Sequence, residues 1–321
     1  MKIPKNQFRI FGQRQRKLCC LLIYVCICAL FISECVEARE SNSSFLRISS
    51  DARGAAMADA QGALTGDVYS MYWNPAGLTD VLFKEFGASY QRAFLGLNYS
   101  FLGYAAPTER LGTVAGQLFF LSSGPITATY ENLVDGSFAG KGNSFSVADL
   151  GVGVSQAKAI TESLYYGVSL KLISHNIMDQ HALSIAGDAG FIYQPLKEEL
   201  RIGAVIQNFS TEYRFINEYL REPWNIKLAG LYDFNNIPLI VAMDYNLISG
   251  YPNTLGIGAE FTILDLIALR AGMKLPPPSG LLSGLNAGLG INLFDLYQLD
   301  YCISFHSALG VNQRFSLILK F

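Results

Sequence analysis

Residues Tyr297–His306 read Tyr-Gln-Leu-Asp-Tyr-Cys-Ile-Ser-Phe-His, with an apolar side chain at every odd position and a small or polar one at every even position. Successive side chains of a β-strand point to opposite faces of its sheet. The alternation therefore predicts a strand with one apolar face and one polar face. The same pattern recurs at Trp224–Asp233, Ile267–Leu275 and Arg314–Phe321.

Ten further segments behind residue 82 follow this pattern, which brings the predicted number of strands to fourteen. Most are roughly 9 to 12 residues long, the length that a tilted strand needs to cross a bilayer. They lie near 83–91, 97–106, 113–122, 144–155, 164–175, 182–194, 200–208, 238–247, 254–262 and 285–294.

The connections between these strands alternate in length. Even-numbered connections are short, as at Leu264-Asp265 and Phe294-Asp295-Leu296, whereas several odd-numbered ones are longer. The longer ones are Ser123 to Asn143, Phe209 to Pro223, Ser249 to Asn253 and Pro276 to Gly284. Outer-membrane barrels show short periplasmic turns and longer external loops. The pattern predicts an all-β fold, a 14-stranded antiparallel transmembrane β-barrel over residues 83–321.

The first 38 residues have the features of an export signal. Six Lys or Arg residues precede a 16-residue apolar run, Leu18 to Ser33, which is shorter than the roughly 20 residues of a spanning helix. We expect cleavage before Arg39, and hence a bacterial outer-membrane location. An uncleaved anchor and a lipoprotein signal at Cys35 are alternatives, the latter disfavoured by the acidic Glu34.

The composition suits a sheet that faces lipid on one side, although a soluble β-sandwich could have a similar composition. Half of the residues are hydrophobic and only 16 % are charged, a low charged fraction for a soluble domain. Removing residues 1–38 takes the net charge from −2 to −6, which gives no indication of nucleic-acid binding. Five of the six cysteines also lie there, so Cys302 alone remains and no disulfide framework is expected.

Residues Phe45 to Leu78 are rich in Ala and Gly and lack a β-branched run. A compact segment of small residues ahead of a closed sheet suggests a hatch inside the barrel, which we assign to residues 39–82. Pro75 fixes its own φ and favours an extended Asn74, and Gly77 permits a tight turn. An ordinary turn leading into the first strand is the alternative.

Two strings in this segment, Asp51-Ala-Arg-Gly-Ala-Ala-Met57 and Tyr72-Trp-Asn-Pro-Ala-Gly-Leu78, resemble the N-terminal region of the FadL superfamily, most closely its PorV/PorQ-like branch. The resemblance implies a fourteen-stranded barrel with an N-terminal lumen hatch. In place of the family's Gly-rich middle this chain has Ala58-Asp59-Ala60. The hatch-motif residues carried by the two strings are Arg53, Gly54, Trp73, Asn74, Pro75 and Gly77.

Charged side chains on the inward faces of the strands are candidate lumen residues, because a charge on the lipid face costs up to about 2–4 kcal/mol at the midplane. We predict inward positions for Lys171, His175, Asp188, Lys227, Asp233, Asp244, Glu260, Arg270, Lys274, Asp300, His306 and Arg314. A network of mutual salt bridges is one interpretation. The other is that Lys227, Arg270 or Arg314 meets the carboxylate of an acidic ligand.

Catalytic and metal-binding patterns are missing from the sequence. The three histidines are too scattered for a metal motif, and there is no Gly-x-Ser-x-Gly nucleophile motif. The glycines of 151–154 and 288–290 lie within predicted strands, where they favour kinks or close packing of the hatch over phosphate binding. We therefore expect no enzyme activity, no metal and no cofactor.

Two functions follow from the family resemblance. It implies passive uptake of hydrophobic small molecules of the long-chain fatty acid type, or a PorV-like protein-interaction barrel that serves type IX protein secretion. A plain porin is disfavoured by the hatch. The expected partners are outer-membrane lipid, an apolar ligand or secreted proteins, and the barrel-assembly machinery, for which the terminal Phe321 resembles the recognition signal.

Overall fold

A computed structural model describes residues 45–93, 96–132, 135–196, 199–215, 217–277, 281–306 and 310–321. The predicted export signal and its cleavage site before Arg39 lie outside these ranges. Within them, no helix is both long and apolar enough to span a membrane.

Eighteen strands make up most of the described chain. They are β1 Glu85–Arg92, β2 Asn98–Thr108, β3 Gly112–Ser122, β4 Ile126–Glu131, β5 Phe138–Phe145, β6 Val147–Ala159, β7 Leu164–Ile177, β8 Gln180–Leu196, β9 Leu200–Ser210, β10 Tyr213–Phe215, β11 Glu218–Leu220, β12 Asn225–Phe234, β13 Leu239–Ile248, β14 Thr254–Ile263, β15 Ile267–Leu275, β16 Leu285–Leu293, β17 Tyr297–His306 and β18 Gly310–Lys320.

Fourteen of these strands close into one antiparallel barrel, which confirms the predicted fold class and strand number. Each barrel strand pairs with the previous and the next one in the chain, and β18 pairs with β1 through Phe315 and Tyr90 to close the ring. An even number of strands places both chain ends of the barrel on the side of the short turns.

The predicted loops Ser123 to Asn143 and Phe209 to Pro223 were wrong in part, because the hairpins β4–β5 and β10–β11 occupy them. The first hairpin extends to Phe145, so β6 begins at Val147 rather than at the predicted residue 144. Both hairpins lack sustained alternation. The last strand begins at Gly310 rather than at the predicted Arg314. Gln313 interrupts the apolar face, which hid the start of the strand in the sequence, but its backbone still pairs with Ile303.

The barrel has a tall side and a short side. Strands β6, β7 and β8 have 13, 14 and 17 residues, and we call them the tall wall. Strands β14 to β17 have only 9 or 10 residues, and we call them the short wall. On both walls exposed, mostly apolar residues alternate along the strands with less exposed residues, so one face of the sheet is outward and the other faces the interior.

Residues 45–81, which we call the lumen segment, form four short helical turns: Phe45–Arg47, Ala52–Ala56, Ser70–Trp73 and Pro75–Asp80. A fifth turn, Leu281–Gly284, precedes β16. Most residues of the lumen segment are buried. Its aromatic side chains pack on inward-facing rings of β2 and β3, with Tyr69 against Phe101 and Phe45 against Phe119. The hydrophobic core therefore lies between the lumen segment and the inner face of the barrel.

Candidate functional site

A chain of buried ion pairs joins the lumen segment to the short wall. The Arg53 guanidinium contacts Glu260 at 2.6 Å and Asp67 at 3.5 Å. Glu260 also accepts from Arg270 at 2.5 Å, and Arg270 donates to Asp300 at 2.6 Å. Positive and negative groups thus alternate from Asp67 to Asp300, so each buried charge has an opposite neighbour.

The predicted salt-bridge network is present on the inner face. Besides Glu260, Arg270 and Asp300, the pairs Lys171–Asp188 and Lys227–Asp244 are buried at 2.8 and 3.1 Å. Of the twelve predicted inward positions, Lys274, Asp233 and His306 are half-buried and the others are buried.

Asp51 organises the first half of the lumen segment. Its carboxylate accepts from the Gly54 amide and from the Trp73 Nε1, each at 2.7 Å, and from the Ser50 hydroxyl at 2.9 Å. A Cβ atom on Gly54 would lie 2.6 Å from the Trp73 ring. Gly54 and Trp73, far apart in sequence, are therefore packed against each other around one carboxylate.

Asn74, Pro75 and Gly77 shape the second half of the segment. The Asn74 Oδ1 accepts from the Ala76 amide at 3.1 Å and so caps the turn that begins at Pro75. Its Nδ2 donates to the Gly62 carbonyl at 2.7 Å. The Gly77 carbonyl accepts from the Gly66 amide at 3.0 Å. Asn74 thus links the two halves of the segment, which a simple turn leading into β1 does not require.

Glycines on the inner face of the barrel leave room for the backbone of the lumen segment. A Cβ atom at any of five barrel positions would lie 2.3 to 2.6 Å from a backbone atom of the segment. These positions are Gly167, Gly203, Gly256, Gly258 and Gly272. Gly288 likewise lies against Ala56. This contact is the close packing with the hatch that we expected for the glycines of 288–290. Backbone and wall are therefore in direct contact on several sides.

The middle of the segment, where the resembling family is Gly-rich, has a left-handed backbone. Ala58 and Asp59 adopt φ values of 56° and 65°, a conformation that costs non-glycine residues energy. The Asp59 carboxylate accepts from Lys274 and, at 2.5 Å, from the Ser49 hydroxyl. Burial opposes ionisation, but Lys274 and Ser49 outweigh it and hold the pKa of Asp59 below its usual value.

A small cavity of about 80 Å³ lies between the lumen segment and strands β9 and β12 to β15. Tyr72 and Trp73 form its aromatic side, and Lys227 lies 4.8 Å from the Trp73 ring. Lys274 and Arg47 also line the cavity. Arg47 stacks over the Tyr251 ring at 3.7 Å, which places this pair at the edge of the cavity.

Of the three predicted ligand contacts, only Lys227 reaches this cavity. Arg270 is engaged by two carboxylates. Arg314 donates to the Asp51 carbonyl at 3.2 Å and to Gln91. Sequence reasoning missed Arg47 and Tyr251, because nothing in the local pattern of either residue indicates that they meet.

A second buried cluster fastens the loop before β12 to the tall wall. His175 lies between Asp149 at 2.9 Å and Glu222 at 2.8 Å, and its ring stacks on Tyr213 with centroids 5.0 Å apart. Phe45 of the lumen segment meets the edge of the same imidazole. No group of three or more His, Cys, Asp or Glu side chains in the described part of the chain is arranged to hold a metal ion.

The terminal Phe321 has an exposed side chain. Its amide donates to the Lys84 carbonyl at 2.9 Å, and its ring lies 6.3 Å from that of Tyr104. The residue therefore continues the seam between β18 and β1 just beyond the end of the last strand.

These features define a closed fourteen-stranded barrel with buried chain packed on its inner face. Solved structures with this fold include the Pseudomonas putida toluene transporter TodX (TM-score 0.64, 15 % identity, covering 84 % of this chain and 98 % of that one). The Ralstonia pickettii toluene transporter TbuX has a TM-score of 0.62 at 16 % identity and covers 84 % and 98 %.

A third similar structure is a FadL homologue from Pseudomonas aeruginosa, with a TM-score of 0.54, 14 % identity and coverage of 86 % and 99 %. No family model matches the sequence and no curated protein is similar to it. At these identities the comparison shows the fold alone, and that fold agrees with the barrel that the resemblance implied.

Proposed function

We propose that this chain is an outer-membrane barrel that takes up hydrophobic small molecules by passive diffusion. The observation that carries the proposal is a closed barrel with an apolar outside and a lumen occupied by its own N-terminal segment. We also propose that the chain is exported by a signal cleaved before Arg39, and that the barrel-assembly machinery recognises Phe321.

The outer face of the barrel supports a membrane location. Exposed apolar side chains recur along both walls, whereas a soluble monomer rarely exposes apolar patches above a few hundred Å². Examples are Val152, Val154, Leu170, Leu172, Leu269, Leu289, Ile291 and Leu299. The charged residues of these strands lie mainly on the other face. This sorting is what a barrel in lipid requires.

The lumen supports uptake through a movable plug rather than an open pore. Ligand pockets usually measure about 300–1,000 Å³, several times the 80 Å³ cavity beside Trp73. A hydrophobic molecule therefore cannot pass unless the lumen segment moves. TodX and TbuX, which share the fold, are described as toluene transporters.

The cationic lining of the cavity favours a ligand with an acidic end. Lys227, Lys274 and Arg47 surround it, with Asp59 as the acidic residue of the lining. Lys227 and Asp59 already have partners, so a carboxylate would compete with those ion pairs, whereas Arg47 is exposed at the edge. This favours a fatty acid over a neutral hydrocarbon.

Uptake of labelled oleate and labelled toluene by a deletion strain tests the proposal. We expect the strain to lose oleate uptake and to regain it with the wild-type gene. The Arg47→Ala variant should lower oleate uptake more than toluene uptake, while Arg110→Ala at the opposite end of the barrel should change neither. Unchanged uptake of both compounds after deletion would overturn the proposal.

The second candidate function is a PorV-like adaptor for type IX secretion. The β4–β5 hairpin favours it, because it exposes Tyr130 and Phe138, and aromatic residues are enriched at protein interfaces. Removal of residues 126–145 should then abolish export of secreted proteins and leave oleate uptake intact. Normal secretion by this variant would exclude the adaptor role of the hairpin.

A further inference from the structure

Two neighbouring turns at the end of the short wall expose large apolar side chains. Leu264, between β14 and β15, is 89 % exposed, and Phe294, between β16 and β17, is 85 % exposed. Both sequences follow one pattern, an aliphatic residue, then Leu or Phe, then Asp-Leu. Residues at turn tips in water are usually polar, so a large apolar residue at the same position of two turns requires an explanation.

The backbone conformation of these turns is unfavourable for large side chains. Leu264 and Phe294 have φ values of 52° and 56°, and the Asp that follows each is also left-handed. Tight hairpin turns of this type favour Asn-Gly or Asp-Gly, because both central residues have positive φ. A bulky apolar residue at the first position is strained and solvent-exposed, which folding alone does not favour.

The two turns belong to one continuous rim. The Asn292 amide of β16 donates to the Leu266 carbonyl at 2.8 Å, and the Lys320 amide of β18 donates to the Leu296 carbonyl at 2.8 Å. The Phe321 amide then donates to the Lys84 carbonyl. Exposed apolar side chains follow this rim at Leu264, Leu266, Phe294, Leu296, Phe321, Phe83 and Leu82.

The height of the strands suggests where this rim lies. A strand tilted by about 40° rises about 2.5 Å per residue. The 9 or 10 residues of the short-wall strands therefore span about 23–25 Å, no more than the apolar band of about 25 Å of such barrels. The 13 to 17 residues of the tall wall span about 33–43 Å by the same measure.

The outer faces of the two walls agree with this estimate. On β6 the apolar outer face ends before the turn, because Gln156 and Lys158 take the outward positions after Val154. On β16 the outward residues stay apolar to the end, at Leu289, Ile291 and Leu293, and the apolar surface continues into Phe294. The lipid-facing surface of the short wall is thus continuous with its turns.

Building on the proposed membrane location, we infer that Leu264 and Phe294 insert into the acyl-chain boundary of the periplasmic leaflet. They complete an apolar band that the short wall alone barely provides. Hydrophobic mismatch of this kind is met by anchoring residues or local thinning of the bilayer. The occupant of this rim is lipid, rather than a periplasmic protein or a second copy of the chain.

Cysteine variants labelled with an environment-sensitive fluorophore test this inference in vesicles of phosphatidylethanolamine and phosphatidylglycerol. The variants are Leu264→Cys, Phe294→Cys, the mid-band Leu289→Cys, and Leu111→Cys at the β2–β3 turn. Leu111 is also exposed, at 60 %, but follows Glu109 and Arg110. The parent protein, whose Cys302 is buried, serves as the unlabelled control.

We expect the two rim positions to emit at blue-shifted wavelengths, to be quenched at least twofold more by nitroxide lipids than Leu111→Cys is, and to resist aqueous iodide. Rim positions that behave like Leu111→Cys would overturn the inference. Protection from iodide without quenching by lipid would show that protein covers the rim, which would overturn the inference as well. If Leu289→Cys is not quenched by lipid, the membrane location itself fails.

Discussion

The tall and short walls hold the lumen segment in different ways. On the short wall, Arg53 and Asp59 form ion pairs with Glu260 and Lys274. On the tall wall, the segment lies with Pro75 and Ala76 directly on Gly167, and with Asn74 against Gly190. Both halves are seated on wall glycines, because Gly258 and Gly272 of the short wall lie against Met57 and Ala56. The ion pairs to the wall therefore distinguish the first half, residues 52–64, from the second half, residues 74–80.

This difference indicates which half would move during the uptake that we propose. Buried ion pairs can exchange their partners for water or for an acidic ligand, whereas the contacts of Pro75 and Ala76 with Gly167 are steric and have no partner to exchange. The cavity also lies beside Asp59 and Lys274, on the charged side. We expect residues 52–64 to leave the wall first and residues 74–80 to stay in place.

The largest expected effect is that of Arg53→Met, which removes the link to the short wall. It leaves Asp67 without its cationic partner, and breaking a buried ion pair costs about 3–5 kcal/mol. Urea unfolding in vesicles, followed through the fluorescence of Trp73 and Trp224, measures the loss of stability. Hydrogen exchange should increase over residues 52–64 and not over 74–80.

Arg53→Lys is the matched control, since it keeps the charge but loses the two-pronged contact with Glu260. Its free energy of unfolding should lie between those of the wild type and Arg53→Met. Equal exchange in both halves of the segment after Arg53→Met would break the distinction between the two walls.

A smaller effect is expected from Gly167→Ala on the tall wall. The added Cβ would lie 2.3 Å from the backbone of Pro75 and Ala76, and overpacking costs about 1–3 kcal/mol. Hydrogen exchange should now increase over residues 74–80. Gly187→Ala on the neighbouring strand β8 is the control, because its nearest contact would be an ordinary 3.6 Å. Similar losses of stability in Gly167→Ala and Gly187→Ala would argue against close steric contact between Gly167 and the segment.

The smallest effect concerns Asp67, at the inner end of the ion-pair chain. Burial raises its pKa to about 6, against the opposing charge of Arg53. The folded protein therefore binds this proton more tightly than the unfolded chain, whose Asp has a pKa of about 3.9. Stability should fall by about 1 kcal/mol as the pH rises from 5 to 7.

Asp67→Asn should remove this part of the pH dependence. Urea midpoints at pH 5 and pH 7 for the wild type and the variant provide the comparison. If the two proteins show the same change between these pH values, Asp67 does not titrate as described.

Much of the barrel could be predicted because its information is local. The strands Ile267–Leu275 and Tyr297–His306 were predicted with the observed bounds, since alternation needs only neighbouring residues. The same alternation assigned Lys227, Glu260 and Arg270 to the inner face. The hairpins β4–β5 and β10–β11 were missed, because their pairing is not encoded in a regular apolar face.

The details of the lumen could not be predicted, because they depend on residues distant in sequence. Gly167 meets Pro75, and Arg47 meets Tyr251, only after the ring has closed. The family strings pointed to Trp73 and Asn74 but not to the partners of these residues. The cavity, which these long-range contacts enclose, was therefore beyond the reach of sequence patterns.

The uptake that we propose requires the first half of the lumen segment, residues 52–64, to move. Ala52, Ala55 and Ala56 pack around the buried Cys302 of β17, so Ala52→Cys or Ala55→Cys places a second thiol beside it. The variant that closes a disulfide, verified by mass spectrometry, locks the segment to the short wall. The same variant with Cys302→Ser is the control.

Labelled-oleate uptake by cells that carry the locked variant is the most direct measurement. We expect uptake to be lost when the disulfide is closed, to return on reduction, and to be normal in the Cys302→Ser control. Undiminished uptake with the disulfide fully closed would show that the first half of the segment does not need to move.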